Sequence, residues 1–167
     1  GYGHGLLEVA RALPGADGFA VARVEEAMQL RHAGFDGQIM VLEGFTSLPE
    51  LILCRDSDLD LVIHDRFQVQ LLDKLPAGKS PLRLWIKIDT GMHRVGLQTG
   101  EAESVINQIR GHEDVTLVGV MTHFANADDR QNDYTRQQLE AFNPFIDTEL
   151  EVSIANSAGI LGWPDSH

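Results

Sequence analysis

The chain has 167 residues, 43% of them apolar, a formal net charge of −12 and one cysteine, Cys54. This is enough apolar material for a buried core, while the acidic balance opposes binding to nucleic-acid phosphates and to anionic membrane surfaces. A single cysteine excludes an internal disulfide framework and a thiolate-based zinc site, and no apolar run reaches the roughly 18–20 residues that span a bilayer, so a soluble cytoplasmic protein is expected.

In chain order, the glycine-rich Gly1-Tyr2-Gly3-His4-Gly5 opens the sequence and leads into a predicted helix over residues 6–13. Aliphatic and β-branched runs then alternate with amphipathic stretches. Strands are predicted over 18–22, 39–43, 59–64, 82–89, 115–123 and 151–156, with further helices over 24–33, 48–54, 66–75, 102–110 and 134–146. Leu84-Trp85-Ile86 and Val118-Gly119-Val120 are continuous apolar runs, as in strands covered on both faces. The second helix is well punctuated: Glu25 and Glu26 fall in its first turn, Arg31 and His32 at its end, and Gly34 follows. Pro76-Ala77-Gly78 and Gly100 mark later connections, and no linker interrupts the series, so one α/β architecture is expected throughout. The chain lacks an initiator methionine and stops without a tapering tail, which reads as a piece of a longer protein.

Six strands in this rhythm suit either an open doubly wound sheet or part of an eight-stranded barrel. The polar residues favour the barrel. Asp89 and Arg94 follow the fourth strand, His123 and Asn126 the fifth, Asn156 and Ser157 the sixth. In a barrel those strand ends meet at one mouth, so the expected fold is an incomplete (β/α)8 TIM-type barrel with about six of its eight units present.

Four segments carry candidate chemistry. In residues 1–5 the glycines allow a tight turn from which Tyr2 and His4 can project, although an ordinary glycine turn has the same composition. Lys87-Ile88-Asp89-Thr90-Gly91-Met92-His93-Arg94 ends an apolar strand with cations, a carboxylate and a glycine hinge. At strand spacing Lys87, Asp89 and Gly91 share a face, and the planar fork of Arg94 suits a carboxylate or phenolate; a surface loop with an Asp–Arg pair is the plainer alternative. His123 ends another buried strand, where hydrogen bonding is favoured over metal ligation because no His-x-His partner adjoins it and Asp128 and Asp129 fall on the following loop. Asn156 and Ser157 begin a short helical stretch, either as a phosphate cup or simply as a cap. No Gly-x-Gly-x-x-Gly, Walker or Gly-x-Ser-x-Gly pattern is present.

Taken in order, Tyr2-Gly3-His4-Gly5, Glu25-Glu26-Ala27, Leu42-Glu43-Gly44, residues 87–94, Thr122-His123-Phe124-Ala125-Asn126-Ala127-Asp128 and Asn156-Ser157-Ala158 resemble the alanine racemase family across the whole chain. The resemblance implies a cofactor, pyridoxal 5′-phosphate, bound in an N-terminal (β/α)8 barrel. It also implies a C-terminal β domain, a head-to-tail homodimer, and interconversion of L- and D-alanine for bacterial peptidoglycan. It casts Tyr2 and Ser157, with Asn156, as cofactor-phosphate residues and Leu42 as a pocket wall. Arg94 resembles the arginine that meets the cofactor phenolate and the substrate carboxylate. Lys87 matches a lysine often carbamylated to hold that arginine, and His123 a histidine that supports an arginine at the pyridine nitrogen. The Schiff-base lysine with its strand, the last strand with that arginine, and the partner's catalytic tyrosine are expected to lie outside residues 1–167, leaving this stretch inactive alone. Two other readings stay open: a non-catalytic pyridoxal-phosphate carrier, and a metal hydrolase using His4, His123 and Asp128. No metal is expected under the favoured reading.

Overall fold

A computed structural model describes residues 1–78 and 80–166. Its strands are β1 (Gly18–Val21), β2 (Gln38–Val41), β3 (Asp60–Ile63), β4 (Leu82–Asp89), β5 (Leu97–Gln98), β6 (Val115–Met121) and β7 (Glu151–Ser153). Its helices are α1 (Leu6–Ala12), α2 (Val24–His32), α3 (Leu48–Asp56), α4 (Arg66–Leu72), α5 (Thr99–Arg110), α6 (Tyr134–Phe142) and α7 (Ser157–Gly162).

The sheet order is β1-β2-β3-β4-β6-β7, every pairing is parallel, and β5 pairs with the end of β4. The order never reverses. A doubly wound sheet must reverse at a switch point, whereas a barrel adds each new strand on the same side, so the topology is that of a barrel wall. The sheet curls: Gly18 and Ala20 of β1 and Glu151 of β7 line one cavity of about 250 Å³ with Gln38, Met40 and Trp85. The result is a parallel half-barrel, as expected from the strand count.

Alternation along β4 shows how the sequence builds the wall. Leu82, Leu84, Ile86 and Ile88 face the helices, within a core that includes Leu30, Leu51, Leu72, Ile109 and Phe142. Burying each such side chain contributes about 1.5–3 kcal/mol. The alternate residues point inward, where Trp85 packs with Val62 and Met121, flanked by Met40 and Val118. The barrel floor below them is polar. Asp60, 2% exposed, accepts hydrogen bonds from Arg83 Nε at 2.8 Å, Gln38 Nε2 at 2.7 Å and Trp85 Nε1 at 3.4 Å. The buried carboxylate is thereby both paired and hydrogen-bonded.

The differences from expectation lie at element ends. The ladders stop before His64, His123 and Asn156, whose backbones enter the loops. The predicted final helix divides where Pro144 enters, leaving α6 followed by a 3-10 turn at Asn143–Phe145. Gly100, read as punctuation, lies inside the first turn of α5. β5 was not expected, since two residues give no periodicity.

Candidate active site

Because the sheet is parallel, residues just beyond the strand C-termini share one rim. β4 brings Lys87 and Asp89 to the inner face, and Asp89 builds the loop that follows. Its Oδ1 accepts the N–H groups of Gly91 and His93, each at 3.0 Å, and its Oδ2 lies 3.1 Å from His93 Nδ1. Burial works against ionising Asp89, but the bonds from His93 and Gly91 outweigh it and hold the carboxyl below its usual range. The Asp–Arg pair considered above is therefore not made: Asp89 pairs with His93, leaving Arg94 exposed on the loop. Two glycines permit this compact turn. At Gly96, φ is 143° and a Cβ would stand 2.7 Å from the Asp89 nitrogen; at Gly91, φ is 138° and a Cβ would stand 2.5 Å from Tyr134 Oη.

Lys87, Arg94 and His123 sense one another. Burial lowers the Lys87 pKa, and the Arg94 charge lowers it further against a weaker opposing pull from Asp89. Burial likewise lowers His123 below the ordinary imidazole value, followed by the charges of Lys87 and Arg94. A cluster of basic side chains, partly buried at Lys87 and His123 and exposed at Arg94, thus sits at the rim of a chain whose net charge is −12. Such a cluster suits an anion carrying a carboxylate, phenolate or phosphate.

The neighbouring strand ends are tied to it. Asn156 Nδ2 reaches the Phe124 carbonyl at 3.4 Å, while its Oδ1 caps α7 by accepting the Gly159 N–H at 2.9 Å. This cap fixes the exposed Ser157 at the start of the helix. On the far side of the rim, Tyr2 and Leu42 line a groove of about 440 Å³ with Ala22, Leu6 and Glu26. Tyr2 is fully exposed and Leu42 38% exposed. The candidates therefore form two groups, Lys87–Arg94–His123 with Asn156 and Ser157, and Tyr2 with Leu42. The trio His4, His123 and Asp128 is not assembled: among the described residues no three His, Cys, Asp or Glu side chains form a metal-ligating group. A cavity of about 1040 Å³ opens elsewhere, between α5 and residues 141–150.

Residue patterns alone did not single out Gln138 and Tyr134, and Thr90 stood out only as part of residues 87–94. Gln138 Oε1 accepts the Ala125 N–H at 2.9 Å, and its Nε2 donates to the His123 carbonyl at 3.1 Å and to Thr90 Oγ1 at 3.4 Å. Tyr134 Oη donates to the Gly91 carbonyl at 2.9 Å. The available signal was a glutamine on the buried stripe of α6, between Thr135 and Phe142.

Fold and rim together define a parallel barrel-type protein with a cluster of basic side chains at its strand ends, where such barrels place their functional residues. Comparison with known proteins narrows the class. The family model described as "Alanine racemase, N-terminal domain" matches residues 1–167. An alanine racemase of Shewanella sp. (strain MR-7) is 41% identical over 99% of this chain and 47% of its own length. The catabolic alanine racemase of Pseudomonas putida is 42% identical over 99% of this chain and 46% of the relative. The crystal structure of the biosynthetic alanine racemase from Pseudomonas aeruginosa superposes with a TM-score of 0.92 at 39% identity, covering 99% of this chain and 47% of that one. The chain belongs to the alanine racemase family, and it spans about half the length of the curated relatives it matches.

Proposed function

We propose that the protein bearing this chain is a pyridoxal-phosphate-dependent alanine racemase, a cytoplasmic homodimer that supplies D-alanine for peptidoglycan. Within family membership, the observation that carries this reading is the cluster of Lys87, Arg94 and His123 on the rim. Its donor set fits the cofactor: pyridoxal 5′-phosphate presents a phosphate and a phenolate, and alanine adds a carboxylate. All three are anionic groups that the Arg94 guanidinium and the neighbouring donors suit.

Bound pyridoxal phosphate supplies the electron sink that acidifies the α-C–H bond of an amino acid. The chain's own residues bind and orient. Arg94 would hold the phenolate and the substrate carboxylate through its planar fork. Lys87, whose lowered pKa favours the neutral amine, adds to carbon dioxide with loss of one proton, and the resulting carbamate holds Arg94 in place. Tyr2 and Ser157 would hold the phosphate, Asn156 fixes Ser157 by capping α7, and Leu42 would wall the ring. His123, kept neutral, orients an arginine contributed from outside these residues. Racemisation needs a proton removed on one face and returned on the other, and these two acid/base groups also lie outside residues 1–167, as do the remaining barrel strands and a C-terminal β domain.

The test compares the full-length protein with residues 1–167, each supplied with pyridoxal phosphate and L-alanine, by chiral chromatography. The full-length protein is expected to form D-alanine and the shorter chain none. A full-length protein that binds the cofactor without racemising alanine would instead support a carrier; turnover by the shorter chain would overturn the placement of the acid/base groups.

A further inference from the structure

We infer that α6 is a positioning element for this site: Gln138 and Tyr134 hold the ends of β4 and β6 in fixed register, so that Lys87, Arg94 and His123 converge. For its catalytic meaning the inference rests on the function proposed above.

Gln138 is 0% exposed, and a buried primary amide is tolerated only when its donors and acceptor are used. Here they are. The amide grips the backbone on both sides of Phe124, taking the Ala125 N–H and giving a proton to the His123 carbonyl, as a neighbouring strand would. It does so where the β6–β7 register has ended at Met121 and Ser153. Its remaining N–H crosses to Thr90, beyond β4. Thr122 Oγ1 donates to the Ile88 carbonyl at 2.9 Å, so the 2.8 Å contact between the two threonine hydroxyls is donated by Thr90. One turn earlier, Tyr134 holds the Gly91 carbonyl and fills the space above Gly91. A single helix therefore grips both strand ends that deliver the cationic residues. Neither side chain belongs to the basic cluster itself; both act through the loops they hold.

The experiment uses the full-length protein with Tyr134→Phe and Gln138→Met, the first removing one hydroxyl and the second the amide at similar length. Tyr134→Phe loosens only the Arg94 loop, and the lost hydrogen bond is expected to raise KM for alanine about five-fold with kcat near the parent value. Gln138→Met frees both strand ends, and a displacement approaching 1 Å is expected to lower kcat by about ten- to a hundred-fold and to weaken pyridoxal-phosphate binding by apo protein. Activities are expressed per folded molecule, so lost stability alone moves none of them. Should Gln138→Met not fold, Tyr134→Phe decides.

A readout independent of turnover is the His123 ring titration, followed by NMR in the apo protein. In Gln138→Met its midpoint is expected to rise towards the ordinary imidazole value as the ring loses burial and moves away from Arg94; in Tyr134→Phe it is expected to rise less, as Arg94 alone withdraws. Unmoved midpoints, or kinetic constants within about two-fold of the parent in every folded variant, overturn the inference. A parent that neither binds the cofactor nor racemises alanine overturns the proposed function instead, and the titration still decides the role of α6.

Discussion

At the scale of single residues, the site is an electrostatic conflict held in place by packing. His123 is pushed below the ordinary imidazole value of 6.5 by burial and by two cationic neighbours. The sign of its contribution to stability follows. Above about 6.5 the ring is neutral in folded and unfolded chains alike; between that value and the lower folded pKa, the unfolded chain takes up a proton that the folded chain refuses. Stability is therefore fully present above the unfolded pKa and is lost as pH falls through the folded one. Chemical denaturation of the protein and of His123→Gln between pH 8 and pH 5 checks this: the parent is expected to lose stability more steeply, and parallel profiles would refute the assignment. Lys87 and Arg94 stood out in the sequence because cations at the end of an apolar strand are conspicuous. The Asp89–His93 pair did not, because it depends on His93 adopting φ 55°, which residue type does not announce.

At the scale of elements, the wall of the barrel was legible and its fastenings were not. Hydrophobic runs marked the central strands because β3 and most of β4 are buried on both faces, whereas β7 is exposed at all three positions and was marked only by a run that continues into the buried Ile154. Strand ends were overextended at His64, His123 and Asn156, where an imidazole or amide continues the pattern although the ladder has lost its partner. Gln68 and Gln138 carry the fastening, and both are polar residues at buried helix positions that periodicity counts as errors. Gln68 Oε1 accepts the His64 N–H at 2.8 Å and the Asp65 N–H at 3.2 Å, and its Nε2 donates to the carbonyls of Glu43 and Phe45. It joins the loop after β2 to the loop after β3. Gln68→Ala would strand one buried and three part-buried backbone groups and is expected to destabilise the protein by roughly 2–4 kcal/mol, measured by urea denaturation; a change below about 0.5 kcal/mol would show that water replaces the amide.

At the scale of the molecule, β1 and β7 each pair on one side only among the described residues. Unpaired strand edges recruit other strands. Leu13, Ile160 and Leu161 add exposed apolar surface beside them in sequence. Residues 1–167 prepared alone are therefore expected to self-associate with rising concentration in sedimentation velocity, and a monodisperse monomer throughout would contradict this. The filled interior has a different consequence. With Trp85, Val62 and Met121 packed together and Asp60 bonded beneath them, the barrel is stoppered rather than tubular. On the function proposed above, both hands of alanine would use the mouth at the strand ends, because the interior beneath Lys87 is already filled by packed side chains.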